Sequence, residues 1–208
     1  MEMLAGICGA GLAICGVILQ SLLRNPLADP FVLGISSGAS TGAVAVVVLG
    51  VGSGAIGLST GAFAGALVSF ALVLLLASLA GGTTDRLVLA GIAATQLFSA
   101  LTSFIVFTAA DAEQTRGVLF WLLGSLSSAS WTDVLVCGVI VLGGLLCCVA
   151  GAGWLDAFAF GNDAAASLGV DVTRIRAVLL VLTALMTAVI VSTSGAIGFV
   201  GLVLPHFA

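Results

Sequence analysis

Between Asp29 and Asp85 the chain carries no charged side chain at all. A run of that length is too long for a loop and too apolar to hide inside a small soluble domain, which leaves much of its area in water. The rest of the sequence repeats the pattern. Of 208 residues, 61% are hydrophobic and 7% charged, where a soluble domain has about 25% charged. Mean hydropathy is +1.35. Lipid is therefore the expected solvent, and the expected fold class is all-α: a polytopic transmembrane helical bundle.

A span needs about 20 apolar residues to cross about 30 Å of hydrocarbon. Charges and glycines cut the chain into pieces of that size. Spans are expected at residues 3–23, 31–49, 56–80, 87–110, 134–155 and 177–193, followed by the start of a further helix. A Gly/Ser break from Gly50 to Gly57 separates the second from the third. Residues 117–130 are apolar but too short to span. Trp121 and Trp131 flank them, and tryptophan favours the membrane interface, so a short interfacial or re-entrant helix is expected there. The five cysteines, Cys8, Cys15, Cys137, Cys147 and Cys148, all fall in apolar runs and read as small apolar residues.

All five basic residues are arginines. If the spans alternate, Arg24, Arg86, Arg174 and Arg176 share one face, with Arg116 on the other beside Asp111 and Glu113. The arginine-rich face is expected to be cytoplasmic. The first residues are then external, which suggests a helix upstream of them. The 208 residues are accordingly read as one transmembrane domain, incomplete at both ends, in a multi-pass protein of the cell membrane.

The same residues exclude several functions. No ionisable group sits near the middle of a span, which argues against a proton- or ion-coupled transporter. A phosphate-binding P-loop requires a lysine, and the chain has none. An ATP-driven step would have to come from a separate subunit. No catalytic set and no metal-ligand set is visible, no cofactor is expected, and the net charge of −4 does not suggest nucleic-acid binding. An ATP-independent secondary transporter or channel is the alternative class.

Two segments between spans stand out. In the first, Arg24, Asn25, Pro26, Asp29 and Pro30 form a turn. Proline ends one helix and suits the first turn of the next, and Asp29 is placed to cap it. In the second, Gly161, Asn162, Asp163, Ala165, Leu168 and Gly169 read as a short helix, capped near Asn162 or Asp163 and stopped by Gly169. A small, smooth helix suits a groove on a partner. The same residues also suit a plain amphipathic linker. Glycines recur every four positions at Gly34 and Gly38 and at Gly57, Gly61 and Gly65, a spacing that lets helices approach closely in lipid.

Residues 22–39, LLRNPLADPFVLGISSGA, resemble the cytoplasmic turn of the iron-siderophore, haem and vitamin B12 permease family. Residues 161–170, GNDAAASLGV, resemble its coupling-helix segment, with Asn162 in place of an acid and Ala166 where a basic residue is common. Residues 195–207, GAIGFVGLVLPHF, are similar to its most distinctive stretch, here Gly198, Phe199, Gly201, Pro205 and His206. Residues 86–91, RLVLAG, also fit. The resemblance implies a ten-helix permease subunit, paired with a second copy or a homologue. It implies two ATP-binding cassette subunits docked on coupling helices near residues 157–172, and an extracytoplasmic solute-binding protein. An iron chelate, haem or cobalamin would be moved by alternating access. The arginine-rich loop that helps dock the binding protein has no counterpart here. Candidate pathway residues are Ser36, Ser37, Gln96 and Thr102, although such groups can equally bond to neighbouring helices.

Overall fold

The computed structural model describes residues 1–51, 57–127 and 129–207, with Ala159 and Asn162 described by their backbone alone. All regular structure among the described residues is helical. Helix α1 is Glu2–Leu23, α2 Ile35–Leu49, α3 Leu58–Leu79, α4 Thr84–Ala109 and α5 Ala112–Leu122. Then come α6 Trp131–Ala150, α7 Ala152–Ala159, α8 Asn162–Ser167, α9 Val172–Ser194 and α10 Val200–Val203. Two 3-10 turns, Pro30–Leu33 and Leu204–His206, complete the set.

Five described helices, α1, α3, α4, α6 and α9, are long and apolar enough to cross a membrane. Helix α2 is not the full span expected over residues 31–49. Its α-helical part has 15 residues, a rise of about 22 Å. Pro30 starts a 3-10 turn instead, and Gly34 enters α2 with φ +71°. Asp29 therefore stands before the 3-10 turn and does not cap α2. Gly50 ends α2 in the left-handed conformation and Gly57 precedes α3. Residues 52–56 of the expected Gly/Ser break lie outside the described residues.

Other boundaries move for local reasons. Helix α6 begins at Trp131, because Ser130 and Asp133 form a capping box, and it stops at Ala150. Gly151 then separates it from α7, so residues 134–155 are not one helix. The short helix expected over residues 117–130 is α5, which starts earlier at Ala112. Asp111 and Gln114 cap it reciprocally, with Asp111 Oδ1 accepting from the Gln114 N–H at 2.7 Å. Arg86 and Arg174 lie in the first turns of α4 and α9, and Arg176 just beyond the first turn of α9, not in the loops before them. Asp171 accepts from the Arg174 N–H at 3.2 Å and pairs with its guanidinium at 3.2 Å.

The chain forms two compact units. The first comprises Met1–Pro30, Ser130–Thr187 and Gly198–Ala208. In it α1 packs against α6, α7 and α10. A Cβ on Gly16 would collide with the Gly201 carbonyl, and one on Gly144 with the Met186 sulfur. Cys8, Cys15 and Cys137 are buried here, where their small apolar side chains fit the packing.

The second unit comprises Phe31–Ala129 and Ala188–Ile197. Its core is α2 packed on α3 and α4. Gly38 and Gly42 face Gly65 and Gly61, and a Cβ on any of the four would overlap a backbone or side-chain atom opposite. The order of these pairs makes α2 and α3 antiparallel. Contacts of Gly34 with Ala94, of Thr41 with Thr102 and of Val44 with Ile105 make α2 and α4 parallel. Short as it is, α2 therefore takes its own pass through this unit. The outer faces carry exposed Leu75, Leu89, Phe104 and Phe107, as a lipid-facing surface requires.

Candidate functional site

The first unit brings the end of α1 and the α7–α8 segment together. Arg24 ends α1 in the left-handed conformation, φ +50°, and its N–H bonds the Gln20 carbonyl. Asn25 donates to the same carbonyl at 3.2 Å. Its Oδ1 then accepts from the Leu27 N–H at 2.9 Å, an Asx turn that carries the chain past Pro26. Gln20 Nε2 donates to the Ala28 carbonyl at 3.5 Å and to the Leu202 carbonyl at 3.4 Å. An open cavity of about 530 Å³, lined by Val17, Gln20, Ser21, Arg24, Asn25, Pro26 and Pro205, lies at this turn.

Helix α7 is anchored by Phe158, which is 1% exposed. Gly161 follows with φ +109° and ψ 164°, a region essentially reserved for glycine. It serves as N-cap of α8, with no side-chain capping bond. The cap expected at Asn162 or Asp163 is thus displaced by one or two residues, because Asn162 is already helical. Its side chain lies outside the described residues. The other end is as expected. Gly169 takes φ +81°. Its N–H bonds the Ala166 carbonyl at 3.0 Å and the Val170 N–H bonds the Ala165 carbonyl at 3.1 Å, a Schellman motif. Ala165 is buried and pins α8 to the unit, while Leu168 is 70% exposed. Asp163, Ala166, Ser167 and Gly169 are also exposed. The outward face is therefore small, nearly neutral and led by one leucine.

The stretch near the chain end divides between packing and surface. Gly201 lies against the Leu12 carbonyl and Pro30, and Pro205 lies near Gly16. Phe199 is exposed, with φ +66°. Gly198 has open space around it. His206 is exposed, with Nδ1 3.0 Å from the Leu202 carbonyl. Among the described residues no group of three or more His, Cys, Asp or Glu could hold a metal ion.

Of the four pathway candidates, Ser37 and Thr102 are linked through Thr41, whose hydroxyl donates to the Ser37 carbonyl at 3.1 Å. Thr102 is buried and shares a 2.8 Å hydrogen bond with Thr41, which also donates to the Phe98 carbonyl at 2.9 Å. Ser37 donates to the Gly34 carbonyl at 2.9 Å. Ser36 is buried, and Gln96 is exposed on α4. What sequence reasoning missed is a cleft of about 510 Å³ in the second unit. Phe120, Trp121 and Gly124 at the end of α5 line it, with Ser59, Ser125, Ser127 and the hydroxyls from Ser192 to Ser194. The signal was the density of serines after α5 and at the end of α9. Their convergence depends on a close approach that only glycine permits. The Ser125 N–H bonds the Ser194 carbonyl at 3.0 Å, and a Cβ on Gly195 would sit 2.7 Å from the Gly124 Cα.

Membrane-length helices packed through glycines, with one short capped helix exposed between α7 and α9, define a polytopic membrane protein. The chain belongs to the FecCD transport family, which it matches over residues 2–208. It is 42% identical over 199 residues to the cobalamin import system permease protein BtuC of Halobacterium salinarum, covering 95% of this chain and 53% of that one. It is 36% identical over 208 residues to the hemin transport system permease protein HmuU of Yersinia pestis, covering 98% and 62%. A solved structure described as an inward-facing metal-chelate type ABC transporter superposes with a TM-score of 0.87 at 32% identity. That match covers 99% of this chain and 66% of the other. The chain thus spans between about half and two thirds of the length of these relatives.

Proposed function

We propose that this chain forms the membrane-spanning permease part of an ATP-binding cassette importer, with α8 as the helix on which a separate ATPase subunit docks. The exposed, glycine-bounded α8, in a FecCD-family chain with no lysine for a P-loop, carries this reading. Leu168 supplies the apolar contact, Asp163 and Gly169 border it, and buried Ala165 ties any movement of α8 to the unit behind it. The turn at Arg24, Asn25, Pro26 and Asp29 is then cytoplasmic. The two compact units are read as parts of one transmembrane domain. A second permease copy or homologue, two ATPase subunits and a solute-binding protein complete the machine.

The cargo class is a bulky iron chelate, haem or cobalamin. The serine-rich cleft fits a loosely held, polar cargo. Its lining is uncharged, and several of its hydroxyls are already used: Ser192 and Thr193 bond the Val189 carbonyl, and Ser194 the Ile190 carbonyl.

The test replaces Leu168 with Glu in the full-length permease assembled with its ATPase. Ligand-stimulated ATP hydrolysis should fall several-fold while the membrane part stays folded. Unchanged stimulation would rule α8 out as the docking helix. Failure of any ATPase subunit to co-purify would favour the ATP-independent class.

A further inference from the structure

The end of α1 and the end of α7 meet at one pair of residues. Arg24 is the first residue beyond α1, and Gly161 the first beyond the α7 C-cap, Phe160. A Cβ on Gly161 would lie 3.2 Å from Nη1 of Arg24 and 3.5 Å from its Cζ. The guanidinium therefore lies beside the Gly161 backbone, and a side chain at position 161 would press on it.

Both partners hold unusual backbone conformations. Arg24 is one of two described non-glycine residues with positive φ, the other being Phe199. Left-handed backbone is strained for any residue with a Cβ. Gly161 at φ +109° lies where a side chain is hardly tolerated. The last turns of helices also gather unpaired carbonyls and partial negative charge. Gly161 follows the end of α7, so a guanidinium beside it has the favourable sign.

We propose that Arg24 is a positioning residue that clamps the ends of α1 and α7 together and thereby sets where α8 stands. The clamp deepens the docking reading given above and rests on it. A push on α8 by an ATPase subunit would reach α1 first, through Gly161 and Arg24. Helix α1 then carries it to α10, which packs on it through Gly16 and Gly201.

The experiment uses the full-length permease with its ATPase subunits in lipid nanodiscs. Amide hydrogen exchange is measured over residues 158–170, and ATP hydrolysis is measured with and without ligand-loaded binding protein. R24Q removes the charge at similar reach. It should speed exchange across α8 by about two- to fivefold, the loss expected for a charge at one helix end. Stimulated hydrolysis should fall while basal hydrolysis persists. R24K keeps the charge and should retain most of the protection, which keeps the test open if R24Q assembles poorly. Wild-type exchange in R24Q would overturn the clamp. Faster exchange in R24Q with undiminished stimulation would leave the clamp standing and overturn α8 as the docking helix.

Discussion

Single atoms decide how closely α2 and α3 approach. Gly38 and Gly42 lie against the backbones of Gly65 and Gly61, so any side chain there must push two helices apart. Overpacking of this kind costs about 1–3 kcal/mol. Replacing Gly65 with Leu should therefore lower the thermal unfolding midpoint in detergent clearly. Gly57, at the same sequence spacing but with open space around it, should accept Ala with little change. The pair shows why spacing alone overstates the packing role of a glycine. Thr102 is the matching case among polar residues. It bonds Thr41 across the α2–α4 interface, and such bonds in membranes contribute about 0.6 kcal/mol. Thr102→Val should cost about that much stability and leave transport by the assembled importer near wild type, whereas a residue contacting cargo would show a transport defect.

Helix boundaries follow from caps that are plain in the sequence once the right residue is chosen. The reciprocal Asp111 and Gln114 bonds start α5 five residues before the apolar run at Gly117, because a capping box satisfies two otherwise orphan N–H groups. Asp111→Ala should destabilise this end by about 1 kcal/mol and raise hydrogen exchange at residues 112–115 without altering α4. The Schellman motif at Gly169 was legible because glycine near the end of a short alanine run has few other uses. The N-terminus of α8 was not. Asn162 and Asp163 look like caps, but Gly161 can reach a backbone conformation closed to them and takes the capping place. Helix α2 was lengthened in the same way. Residues 31–33 are apolar and suit a span, yet Pro30 and Gly34 turn them into a 3-10 turn packed on Gly91.

At the scale of the whole molecule, membrane orientation is the property with the widest consequences. Helix α4 has 26 residues, a rise of about 39 Å, and can place its two ends in opposite aqueous phases. With the arginine-rich face inside, a cysteine introduced at Thr83 should react with an impermeant thiol reagent only from the cytoplasmic side. One at Ala110 should react only from outside, in a background freed of the five native cysteines. Reaction of both from the same side would refute the orientation and, with it, the cytoplasmic location of the Arg24 turn. By itself the sequence determined the membrane, the helical class, that any ATP-driven step would need a separate subunit, and the family, because each rests on composition or on residues close together in the chain. Only the tertiary structure decided which glycines are packed and that Arg24 reaches Gly161. The same holds for the cleft in the second unit, formed where serines from separate helices meet. These depend on atoms distant in sequence, whose meeting is governed by backbone conformation and close packing and leaves no periodic trace in the chain.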